Sequence, residues 1–68
     1  MAESLGEALP KEMARVREVL GHYKELGTAG KFGALMIEIA LQKADEAVIS
    51  GDLAAMIVAY KDLKGIED

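Results

Sequence analysis

The sequence predicts an all-α fold, a three-helix bundle joined by short glycine-containing loops. Three observations carry that expectation. Apolar residues recur at spacings of three and four in three separate stretches, the periodicity of one face of a helix. Proline and glycine punctuate the chain at Pro10, Gly27, Gly30 and Gly51, between and not within most of those stretches. No segment sustains the period-two alternation of a strand, and β-branched residues are few.

Helix 1 is expected from Pro10 to Leu26. Proline suits a first helical position, where its missing N–H would have had no intrahelical partner. Leu9, Met13, Val16, Leu20 and Tyr23, flanked by Val19 and Leu26, form one apolar stripe about 140° wide, which reads as a core face. Gly27 ends the helix, because glycine takes the left-handed conformation of a closing turn without steric cost.

Thr28 is the candidate N-cap of helix 2, which is expected from Ala29 to Ile49. Its apolar residues fall into two groups. Phe32, Leu35, Met36 and Ile39 make one, and Ile37, Leu41, Ala44 and Val48 make the other, offset by roughly 140° on the helical wheel. A central helix touches two neighbours, so both groups can be internal; alternatively, the second meets another chain. Gly51 stops the helix and Asp52 caps helix 3, expected from Asp52 to Lys64, with Leu53, Met56, Ile57, Tyr60 and Leu63 as its stripe. The small residues Gly30, Ala34, Ala40, Ala44 and Ala47 permit a close neighbour, and Ala55 and Ala59 of helix 3 are placed to meet them. Val58 points away from the helix 3 stripe.

At 68 residues the chain makes one domain, with residues 1–8 expected as a flexible lead and 65–68 as a frayed tail. A core this small holds little stability in reserve. With no cysteine, disulfides cannot supplement it, which leaves oligomerisation as the accessible reinforcement. The hydrophobic fraction of 51% is that of a folding chain, and no apolar run approaches a membrane span. The acidic N-terminus, with Glu3 and Glu7, lacks the pattern of an export signal, so the expected setting is cytoplasmic. A net charge of −4 repels nucleic acid on average, and the Lys11, Arg15, Arg17 and Lys24 set is interleaved with Glu7, Glu12, Glu18 and Glu25, as on a solvated face.

Chemistry-bearing motifs are sparse. Gly27-Thr28-Ala29-Gly30-Lys31-Phe32-Gly33 resembles a phosphate loop only superficially: two residues separate its glycines instead of four, Phe32 stands where a hydroxyl should hold magnesium, and a helix precedes it. His22 is the sole histidine, without a sequence neighbour set to complete a metal site. Ser4, Thr28 and Ser50 read as terminus and cap residues, not nucleophiles. Asp45 and Glu46, adjacent on a helix, diverge too far to share a proton. Tyr23 and Tyr60 read as packing residues, and Met13, Met36 and Met56 as gap-fillers. No catalytic residue, cofactor, metal or small-molecule substrate is assigned.

Residues Ala44 to Tyr60, with the Ser50-Gly51-Asp52 turn and an aromatic eight residues beyond the aspartate, resemble one tetratricopeptide helix hairpin. Met56 stands where that family prefers alanine and Ala40 where it prefers a large aromatic. Solenoids need about three repeats, so the resemblance implies the hairpin over about 40–64 and not an array. The whole chain, through Leu20 to Gly27, Gly30 to Met36 and Ser50 to Asp52, resembles small bacterial helical proteins of unassigned function, often prophage-borne. That resemblance implies a bacterial cytoplasm and a host or virion protein partner.

The functional expectation is a non-catalytic protein–protein interaction domain, either a homodimer or an adaptor or inhibitor of a larger bacterial protein. Its expected surface is Ile37, Leu41 and Val48, with Val58 beside them. The alternative is a tri-helical nucleic-acid-binding module. Helix 3, however, opens Asp52-Leu53-Ala54-Ala55, without the basic and amide residues of a reading helix.

Overall fold

The computed structural model describes residues 4–67; residues 1–3 and 68, part of the expected lead and tail, lie outside the described residues. The all-α expectation is met by three helices, α1 (Leu5–Glu25), α2 (Lys31–Ser50) and α3 (Leu53–Lys64), with a 3₁₀ turn over Gly27–Gly30 between the first two.

Helix α1 begins at Leu5, five residues before the expected start at Pro10. The carbonyl of Ser4 accepts from the amides of Glu7 and Ala8 at 3.0 and 2.9 Å, opening the first turn ahead of the proline. Pro10 has no N–H to give the carbonyl of Gly6, which weakens this turn. Carrying the helix through it places Leu5 and Leu9 on the core, Leu9 fully buried and Leu5 packed at its edge, which offsets the missing bond.

Gly27 does adopt the left-handed conformation, with φ of 63°. Thr28, in contrast, caps nothing. The residue preceding α2 is Gly30, no side chain bonds to the exposed amides there, and α2 starts at Lys31. Close approach explains the shift: a Cβ on Gly30 would overlap the carbonyl oxygen of Tyr23, and one on Gly33 would overlap the Tyr23 ring. The two glycines let the end of α1 lie directly on the start of α2.

At the other end of α2 the local signals hold as read. Gly51 has φ of 70° and donates its N–H to Ala47 at 3.0 Å. Asp52 accepts through Oδ1 from the amides of Ala54 and Ala55, at 3.0 and 3.3 Å, so α3 starts with two of its free donors satisfied. Ile66, in the expected frayed tail, packs against the core and donates its N–H to Leu63.

The helices run up, down and up. Lys24 pairs with Glu38 at 3.3 Å and Arg17 with Asp45 at 3.6 Å, an antiparallel register between α1 and α2. The Arg15 guanidinium bonds Glu12 and also donates to the carbonyl of Leu63 at 2.8 Å, joining α1 to the last turn of α3. Its neighbour Glu12 holds that guanidinium above its ordinary pKa. Leu9, Met13, Val16 and Val19 of α1, Ile37, Leu41, Ala44 and Ala47 of α2, and Ala59 and Leu63 of α3 make the core. Among the described residues no polar or charged side chain is buried there. The resulting body is thin, with principal extents of 38, 25 and 15 Å.

Candidate interaction face

Which side of α2 packs inward is decided by size. The alanine-bearing side, with Ala34, Ala44 and Ala47, approaches α1 and α3 closely, and Ile37 and Leu41 on that side fill the space between them. This corrects the expected surface at two of its four positions: Ile37 and Leu41 are core residues, 4% and 7% exposed. The other group faces solvent instead. Phe32, Leu35, Met36 and Ile39 are 75%, 52%, 50% and 40% exposed.

These four stand at i, i+3, i+4 and i+7, and so form a continuous ridge over the first two turns of α2. Scattered exposed apolar residues are ordinary on any protein, but four large ones in one ridge are not. Their exposure follows from the chain's own geometry. Core contacts already occupy the opposite side of α2, and among the described residues no fourth element covers this one.

The ridge continues into a groove between α2 and α3. Its upper section, about 480 Å³, is walled by Ala47, Ala55, Val58 and Ala59, with Lys43 and Asp62 at its lower end. The same Lys43 and Asp62 open a second section of about 290 Å³, which reaches Met36, Ile39 and Ile66. Alanines make the groove, since short side chains on both walls leave space between two helices in contact.

Of the other expected positions, Val58 is exposed and belongs to this face as a groove wall. Val48 is exposed too, but stands about 160° around α2 from Phe32, so the structure does not bring it to the ridge. Ile49, Leu53 and Ile57 are also exposed, around the α2–α3 turn; Ile49 lies about 100° around α2 from Phe32. The ridge was visible in the sequence as a group of apolar residues at helical spacing. What the spacing did not disclose is which of two such groups faces out.

The residues considered for chemistry lie apart. His22 and Thr28 are exposed on α1 and the 3₁₀ turn, and Ser50 is engaged in the α2–α3 turn, where its hydroxyl donates to Ala47 and accepts from the amide of Asp52. Asp45 pairs with Arg17, while Glu46 accepts from Gln42 at 3.4 Å. Among the described residues no three His, Cys, Asp or Glu side chains gather as a metal would require, and no helix is long and apolar enough to cross a membrane. Compared with known proteins, the chain matches no family model, no curated protein and no solved structure.

Proposed function

We propose that this chain is a non-catalytic protein-binding module whose contact surface is the outer face of α2 together with the α2–α3 groove. The observation that carries the reading is the exposed ridge of Phe32, Leu35, Met36 and Ile39. A partner that covers it removes four large apolar side chains from water, and aromatic and methionine residues are the types enriched at such contacts. Charged residues border the ridge, with Lys24, Lys31 and Glu38 on one side and Lys43 and Asp62 on the other, an arrangement suited to orienting a partner. The resemblance to small prophage-borne bacterial proteins supports a bacterial cytoplasm as the setting.

The test is site-specific photocrosslinking. A photoreactive phenylalanine analogue replaces Phe32 in the full chain, and in a second version replaces Lys11 on α1 as a control. On irradiation in the producing cells, the position-32 version yields a discrete protein adduct, whether with itself or with another protein, and the position-11 version does not. Absence of any protein adduct from position 32 would overturn the reading.

A further inference from the structure

Resting on the reading of the α2 ridge as a protein-contact surface, we propose that residues 65–67 are an autoinhibitory strap. In the free chain Ile66 fills an aliphatic seat beside the ridge, and a bound protein places an aliphatic side chain of its own there once the strap lifts.

The seat lies where the end of α3 meets α2. Ile66 and Met36 line the 290 Å³ section of the groove, and both also line a separate hollow of about 380 Å³ that reaches Tyr23 and Gly33. Ile66 thus stands between two open spaces. Its side chain is partly buried and packs against the edge of the core, so the chain itself shows what the seat accepts. The hollows on either side show that Ile66 underfills it. A side chain with open space beside it forgoes dispersion contacts, and a larger apolar one would gain them.

The seat is within reach of anything that covers the ridge. Met36 belongs to both, as a ridge residue and as a wall of each hollow, and Ile39 lines the first hollow as well. A protein laid over Met36 and Ile39 therefore meets Ile66 at the edge of its contact.

The strap is lightly held. The Ile66 amide donates at 3.0 Å to the carbonyl of Leu63, which also accepts from Arg15 at 2.8 Å. The Arg15 guanidinium, held above its ordinary pKa first by its hydrogen bond with Glu12, is also drawn toward the exposed carboxylate of Glu67. Segments with few buried contacts open without the rest of the fold, and attraction between exposed charges is screened by salt. A site closed part of the time binds more weakly in proportion to the fraction that is open.

Titration of the purified full chain with the neutral fluorescent probe N-phenyl-1-naphthylamine tests the strap. Ile66→Ala, with helicity unchanged by circular dichroism, is expected to bind the probe about fivefold more tightly than the wild type, and Glu67→Gln about twofold at low salt. The second difference is expected to vanish at about 0.5 M salt, where the pull of Arg15 on Glu67 is screened in the wild type too. If Ile66→Ala loses helicity, Glu67→Gln decides alone. A Glu67→Gln chain that binds like the wild type at low salt overturns the strap, since Ile66→Ala by itself would show only a new cavity. Weaker binding by a folded Ile66→Ala overturns it as well, because Ile66 would then belong to the binding surface. Added to the chain that carries the photoreactive residue at position 32, the same two substitutions are expected to raise the protein adduct about twofold. An adduct that forms but does not rise overturns this proposal alone, whereas no adduct from any version overturns the protein-contact reading with it.

Discussion

The Arg15 guanidinium donates to the main-chain carbonyl of Leu63 at 2.8 Å, so a side chain of α1 supplies a second donor to a carbonyl at the end of α3 that already accepts from the Ile66 amide. Glu12 holds the guanidinium in place from the other side. Helix α3 has only 12 residues and buries two side chains, so this latch is a substantial part of what holds its end. Replacing Arg15 by methionine keeps the apolar stem and removes the donor. Amide hydrogen exchange at residues 61–66 is expected to accelerate by about fivefold, while the middle of α1 keeps its protection. Uniform acceleration across all three helices would mean that α3 does not open separately.

The two apolar sides of α2 should respond oppositely to truncation. Leu41→Ala removes a buried side chain and is expected to cost about 3 kcal/mol in urea unfolding, enough to populate the unfolded state of a domain this small. Leu35→Ala, measured at concentrations where the chain is monomeric, is expected to change stability by less than about 0.5 kcal/mol. The reverse ranking would place the ridge in the core.

Glycine-to-alanine substitutions separate positions that need glycine from one that does not. Gly21 lies inside α1 with open space around a new Cβ, so Gly21→Ala should raise stability by about 0.8 kcal/mol through helix propensity alone. Gly30→Ala should lower it, because the new Cβ would overlap the Tyr23 carbonyl and backbone must move. Gly33→Ala meets only the Tyr23 ring, and its cost should shrink when Tyr23 is replaced by leucine. Thermal unfolding of the three glycine variants, and of Gly33→Ala measured against Tyr23→Leu, decides the ranking.

The cap on α3 is likewise measurable. Asp52→Ala leaves the amides of Ala54 and Ala55 without their acceptor and is expected to cost about 1 kcal/mol, with Asp52→Asn recovering most of it. No recovery by asparagine would point to the charge at the helix start, not to the hydrogen bonds, as the source of the effect.

The Gly51-Asp52 turn could be read from the sequence because its bonds lie within a few residues of each other: the glycine conformation and the aspartate cap are local properties. The stripe of α1 could be read because charged residues occupy its other side, so Leu9, Met13, Val16 and Val19 had one direction to face. Helix α2 lacks that contrast. With apolar residues on both sides, its orientation depends on how closely α1 and α3 can approach, and bulk pointed the wrong way: the smaller Ala34, Ala44 and Ala47 mark the packed side, and Phe32 the open one. The start of α1 was missed for a related reason. Pro10 is a strong local signal for a first turn, but burial of Leu9 and Leu5 against the core outweighs it. Neither the alanine-walled groove nor the Arg15 latch has a local signature, since each joins residues far apart in the chain.

That the core holds no buried polar side chain among the described residues has an evolutionary consequence. Leu9, Val16, Ile37, Leu41 and Leu63 answer only to volume and apolarity, and interiors of that kind accept many alternative spellings. Descendants of this chain can therefore drift far in their interior letters while the backbone stays where it is. The positions with least freedom to drift are those where shape forbids a side chain, Gly30 against the Tyr23 carbonyl and Gly51 at its left-handed turn. Kinship among such chains would be written in their glycines more durably than in their hydrophobic residues.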